Sequence, residues 1–311
     1  MRTGSRTSRL VLTQAMTAER PPAGAGDWLL GVVAGAGGAR RYRLFRPAGV
    51  RHDETLPLMV MLHGCKQDAR SFAASTRMNV VAARERFLVL YPEQDRLSNA
   101  HGCWNWFETN SGRAYAEAAL ILSAIDQVCL LYRADRERVA AAGLSSGASM
   151  AALLVARYPE RFKAVAMHSG IPPGTAHSGL TAVRAMHGRR GTKPLSARAG
   201  SDATAWPPLM VIHGDRDAVV SADNGRAAAQ AWADAAGAVE GMGRAVRRGK
   251  RHPMTITDFK RRGTTSATLV QISRLGHAWS GGAENEHFSD AEGPDASRMI
   301  WGFSARQFAG G

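Results

Sequence analysis

"VAAAGLSSGASMAALLVARYP", residues 139–159, sets a buried strand directly against a buried helix and puts a serine at the corner. Val139 to Leu144 is a short run of small apolar residues, as in a strand covered on both faces. From Gly147 the Ala, Leu, Met and Val pattern reads as a helix, which Pro159 stops. In an open α/β sheet, ligands bind beyond the carboxyl ends of the strands. A serine at such an end has its hydroxyl held out toward the ligand. Gly143-Leu144-Ser145-Ser146-Gly147 matches the G-x-S-x-G nucleophile elbow, with glycines two before and two after the serine to let neighbouring backbones pass closely. The helix behind it aims free N–H groups and a positive dipole end at the same place. The competing reading of these five residues is a small-residue turn without chemistry, so the rest of the chain has to decide.

Outward from the corner, strands and helices alternate. RYRLFRP (41–47), LPLMVMLHG (56–64), FLVLYPE (87–93), FKAVAMHSG (162–170) and PPLMVIHGD (207–215) read as strands, most of them continuously apolar. Helical periodicity runs through 71–86, 114–132, 222–237 and 295–308, and MTITDF (254–259) with ATLVQIS (267–273) suits a hairpin. Such alternation predicts an α/β class with a mostly parallel sheet covered on both faces. Residues 1–38, rich in Gly, Ala, Pro and Arg, are expected to be poorly ordered, and 39–311 to form a single α/β domain. The weakly patterned stretch 172–206 is expected to be a surface excursion or lid. No apolar run in the sequence approaches the ~20 residues of a membrane span.

A serine hydroxyl needs a base, and the base an orienting acid. In this architecture they follow the nucleophile in the order acid, then histidine, each at a later strand end. After PPLMVIHG stand Asp215 and Asp217; Asp217 lies further into the loop and is the expected acid, with Asp215 bracing the turn. After ATLVQIS comes RLGHAWSGG, which offers His277 as the base. His63 and His213 end strands as His-Gly, where a turn role suffices, and His168 is placed to line the pocket. Donors for a developing oxyanion are expected from the N–H of Ser146 and, in the loop after LPLMVMLHG, from that of Cys65.

HGC, CWNW and GHAWSGG, with the stretches LMVMLHGCKQDARSF, LVLYPEQ, PLMVIHGDRDAVV and GPDASRMIW, resemble the polyhydroxybutyrate depolymerase family of esterases, relatives of feruloyl and acetylxylan esterases. The resemblance spans roughly residues 41–308. It implies the α/β-hydrolase fold, Ser145 as nucleophile, Asp217 as acid, His277 as base, no cofactor or metal, and a disulfide between Cys65 and Cys103. Trp104, Trp106 and Trp279 are expected either as apolar walls for substrate or as core. The expected activity is hydrolysis of short-chain hydroxyalkanoate esters or oligomers, with a carbohydrate esterase as the alternative and a peptidase behind both. Export to an oxidising compartment is implied by the family, although MRTGSRTSRLVLTQAMTAERPP has the basic start of a signal peptide without its apolar core, which leaves the cytoplasm as the alternative.

The net charge of +14, from 40 Lys and Arg against 26 Asp and Glu, raises one reading outside enzymes: a polyanion-binding protein with a vestigial site. Its densest segment, RAVRRGKRH (244–252), holds no aromatic residue to stack on bases, so nucleic acid is not the expected partner. The remaining cysteine, Cys129, falls in the apolar helix and reads as a buried thiol.

Overall fold

Every side chain of the strand Leu56–Leu62 is buried. Leu58, Val60 and Leu62 join one apolar cluster while Met59 and Met61 join another, so the strand lies between two covering layers. The computed structural model describes residues 21–35, 37–188 and 206–310.

The sheet is built from β1 (Gly26–Gly35), β2 (Gly38–Pro47), β3 (Leu56–Leu62), β4 (Leu88–Pro92), β5 (Ala134–Leu144), β6 (Ala164–His168), β7 (Leu209–Gly214), β8 (Val239–Glu240), β9 (Arg244–Val246), β10 (Met254–Arg261) and β11 (Thr264–Ile272). Its spatial order is β1-β2-β4-β3-β5-β6-β7-β11-β10-β8, with β9 also on β10. From β4 to β11 all neighbours are parallel. Antiparallel pairs close the two edges: β1–β2 and β2–β4 at one, and β11–β10 with β10–β8 and β10–β9 at the other. The expected 254–273 hairpin is the β10–β11 pair.

One face is covered by α3 (Arg113–Tyr132), α4 (Ser146–Arg157) and α6 (Asp223–Ala236), the other by α1 (Ala69–Thr76), α2 (Met78–Glu85) and α7 (Ala296–Phe308). A short pair, β12 (Trp279–Ser280) and β13 (Ser289–Asp290), lies after the last long strand.

Three expectations are corrected. Within the segment expected to be poorly ordered, Gly26–Gly35 forms β1, whose interspersed glycines hid a strand that pairs residue by residue with β2; residues 1–20 lie outside the described residues. The helical stretch 71–86 is two helices, because Arg77 takes a left-handed conformation (φ 55°) that ends α1 and starts α2. By length and composition, α3 is long and apolar enough to cross a membrane, since Glu117 and Asp126 are sparse interruptions of an apolar stretch. In this fold its buried side, from Ala114 to Cys129, packs on β1, β2, β5 and α4. Of the proposed excursion, 179–186 is a helix, α5 (Gly179–Met186), capped by Ser178, and 189–205 lies outside the described residues.

Candidate active site

Ser145 stands between the last residue of β5 and the first of α4, with φ 56° and ψ −121°. That region is costly for a residue with a side chain and is found where surrounding structure enforces it. The glycines show what enforces it here. A Cβ on Gly143 would stand 2.4 Å from the carbonyl of Gly147, and one on Gly147 only 2.1 Å from the Leu62 oxygen of β3. The corner is tight because β3, β5 and the start of α4 touch through bare backbone. The Ser145 N–H donates to His168 O across 2.9 Å, fixing the turn to the neighbouring strand.

The expected acid, Asp217, and the expected base, His277, come from the loops after β7 and β11, which are neighbours in the sheet. Asp215 N donates to Ile272 O (3.0 Å), Arg216 N to Leu275 O (3.0 Å), and Arg274 N to the Asp215 carboxylate (2.7 Å), so Asp215 braces the turn as expected. Asp217 is thereby set against His277, whose Nδ1 lies 2.8 Å from Asp217 Oδ2. The other carboxylate oxygen accepts from the N–H groups of Val219 (3.0 Å) and Val220 (2.8 Å). Burial opposes ionisation of Asp217, but the hydrogen bonds from His213 and His277 outweigh it and hold the carboxyl far below the usual carboxylate range. Since Asp217 is ionised, Nδ1 of His277 carries the proton and Nε2 is left as an acceptor. No hydrogen bond joins the Ser145 hydroxyl to His277 among the described residues; such bonds are often loose in a free enzyme and tighten with substrate.

The expected oxyanion loop lies beside the serine. A Cβ on Gly64 would be 3.5 Å from Ser145 Cβ, and the Cys65 sulfur is 3.4 Å from the Ser146 hydroxyl. Cys65 is bonded to Cys103, and Lys66 N donates to His101 O (2.8 Å). Gly64 N donates to the Gln67 side chain (3.0 Å), and Trp104 Nε1 donates to His63 O (3.0 Å). Among the described residues, neither Cys65 N–H nor Ser146 N–H donates to a protein acceptor. Behind the loop, buried Glu117 of α3 accepts from Asn105 N (3.0 Å), Asn105 Nδ2 (2.7 Å) and Gln94 Nε2 (2.7 Å), while Arg40 donates to Gln94 Oε1. This carboxylate holds the Cys103–Trp106 segment that the disulfide ties to the expected oxyanion loop.

Residues 40–254 match the family model described as esterase PHB depolymerase. The chain belongs to that family. Among its curated relatives, poly(3-hydroxyalkanoate) depolymerase C of Paucimonas lemoignei is 33% identical over 54% of this chain and 42% of its own length. Feruloyl esterase B of Neurospora crassa is 33% identical over 37% of this chain and 39% of its own. This PHB depolymerase family member thus spans less than half of either relative's length. Acetyl xylan esterase from Aspergillus awamori superposes with a TM-score of 0.63 at 20% identity, covering 80% of this chain and 94% of that one, a likeness that establishes the α/β-hydrolase fold.

The three tryptophans of this PHB depolymerase family member are core residues rather than exposed walls. Trp104 and Trp279 are wholly buried and Trp106 nearly so. The Trp104 and Trp279 ring N–H groups are consumed by His63 O and Ser297 Oγ (3.1 Å), and Trp106 packs edge-on against Phe107. Sequence reasoning also underrated two histidines. His168 is fully buried, accepts from Ser280 N (3.1 Å), and stacks on Trp279 at 5.0 Å, so it joins the elbow strand to the loop carrying His277. Burial pushes its pKa down to about 3 and keeps it neutral. His213 shares its Nε2 proton between Val220 O (2.9 Å) and Asp217 (3.4 Å). Both sit at strand ends, and that placement was the signal available.

Proposed function

We propose that this chain is a serine esterase that cleaves short-chain hydroxyalkanoate esters or oligomers through an acyl-enzyme. The observation that carries the reading is the Asp217–His277 hydrogen bond, set at the same strand ends as the strained Ser145 corner. His277 Nε2 takes the Ser145 proton as Oγ bonds to the ester carbonyl carbon. The oxyanion forms against the N–H groups of Cys65 and Ser146, a contact of a kind typically contributing about 3 kcal/mol per donor to the barrier. Collapse breaks the ester C–O bond, and His277 returns the proton to the departing alcohol. Water, deprotonated by His277, then attacks the acyl-enzyme, and the acid leaves as Ser145 regains its proton. Asp217 stays ionised throughout and stabilises the imidazolium.

The depolymerase relative and the family match support hydroxyalkanoate esters; the feruloyl esterase relative supports a carbohydrate ester equally, and that is the second reading. The disulfide favours an oxidising compartment, outside the cell or in a periplasm. Ser145→Ala is expected to lower p-nitrophenyl butyrate hydrolysis by roughly 10³-fold or more with circular dichroism unchanged; equal turnover would reject the assignment. Relative rates on 3-hydroxybutyrate trimer, methyl ferulate and acetylated xylo-oligosaccharide then decide between the two ester classes.

A further inference from the structure

On the α6 face, β10 and β11 are covered by that helix. On the opposite face α7 packs across β5, β6 and β7, leaving the outer strands as one wall of a cavity of about 430 Å³. Small-molecule sites fall in the range of roughly 300–1,000 Å³. The floor is apolar: Met254, Val270 and Phe303 are all nearly inaccessible. The rim is cationic, with Arg244, Arg248, Arg298 and Arg306 against a single lining carboxylate, Asp258. That carboxylate is already occupied by Thr268 Oγ1 (2.9 Å) and Arg244 (3.2 Å), and Arg298 faces Asp295 at 3.4 Å. Arg248 and Arg306 enter no ion pair among the described residues. Arg248 belongs to the basic segment 244–252, which the esterase reading leaves without a role.

An apolar floor under free guanidinium groups matches one ligand chemistry. We propose that this cavity binds a medium-chain carboxylate, with its alkyl chain on the Met254–Val270–Phe303 floor and its charged head between Arg248 and Arg306. A guanidinium forms two parallel hydrogen bonds to a carboxylate, and the chain supplies apolar burial that a bare anion lacks. A polyanion lacks a group for the floor, and an uncharged lipid leaves the arginines unused. The cavity runs along β11 from Thr265 to Val270 and is lined by none of Ser145, Asp217 and His277, so the proposal does not rest on the esterase reading.

Titration calorimetry of the full chain with octanoate tests it, with octan-1-ol, butyrate and inorganic phosphate as controls. The expected result is one octanoate per chain, bound at least about tenfold more tightly than any control and weakened about tenfold or more by the double change Arg248→Gln, Arg306→Gln. Absence of saturable octanoate binding, equal binding of octanol or phosphate, or indifference to the double change overturns the proposal. Repeating the titration after phosphonylation of the nucleophile separates the two sites. Binding that persists supports the cavity, whereas binding abolished by the label belongs to the catalytic centre and overturns it.

Discussion

His277 reaches back sixty residues to place its Nδ1 2.8 Å from the carboxylate of Asp217, while Asp215, two residues earlier, spends its own carboxylate on the backbone of Arg274. The two aspartates of one loop thus have different partners, and the proposed mechanism gives Asp217 the chemistry while Asp215 braces the turn. Asp217→Asn is expected to lower kcat by on the order of 10³- to 10⁴-fold, because an amide can donate to Nδ1 and stabilise the wrong tautomer. Asp215→Asn retains an acceptor oxygen for Arg274 N and should leave kcat close to wild type. Steady-state rates on p-nitrophenyl butyrate check both, and equal losses would mean that the roles are misassigned.

His168 links the elbow to the base loop, its carbonyl accepting from Ser145 N and its ring nitrogen from Ser280 N. We infer that it is a positioning residue. His168→Leu removes the acceptor for a buried N–H, a loss of about 1–3 kcal/mol in stability. The expected kinetic signature is a fall in kcat with KM nearly unchanged, since His277 loses its register and the outer surface does not change. His168→Gln, which offers an acceptor of similar reach, should recover part of kcat. A loss confined to thermal stability, with kcat intact, would limit His168 to a packing role.

Much of this arrangement was legible because it is local. The elbow follows from five consecutive residues, and the Asp217–His277 order follows from strand succession. Opaque features depend on distant partners. Nothing near Trp279 announces that its ring N–H meets Ser297 and its face meets His168, so exposed wall and core were equally open until packing decided. Glu117 in an apolar helical run gave only the hint of a carboxylate at a buried position; its partners Asn105 and Gln94 arrive through the fold. The strand Gly26–Gly35 was hidden for a related reason, because its pairing with 38–47 supplies the order that its composition lacks.

The Cys65–Cys103 bond closes a loop with a sequence separation of 38, and in the chain-entropy picture that stabilises the fold by about 4 kcal/mol. The pairing Cys65→Ser, Cys103→Ser is expected to lower the urea midpoint accordingly. Lys66 N to His101 O and Trp104 Nε1 to His63 O still join the two segments, and Gly64 N to Gln67 braces the loop itself, so measurable esterase activity should survive at low temperature. Urea titrations of the variant and of the dithiothreitol-treated protein check this; identical midpoints with and without the bond would show that it adds no stability.

Stability should also fall on mild acidification. Burial lowers the pKa of His63 to about 4 and that of His168 to about 3, against the usual value of 6.5. Below 6.5 the unfolded chain takes up protons at both sites that the folded chain refuses, so each loss of a pH unit favours unfolding until the folded values are reached. At pH 5 relative to pH 8 the cost is on the order of 2 kcal/mol per histidine. Asp217 contributes in the opposite setting: its depressed folded value keeps its stabilisation intact throughout this window, with loss only in stronger acid. Urea midpoints should therefore be nearly level from pH 8 to about pH 7 and decline below about 6.5 toward pH 5, and His63→Gln, which retains a polar side chain but does not titrate, should flatten about half of that lower slope. A midpoint independent of pH over that range would mean that the two imidazoles titrate in the folded protein as they do in water.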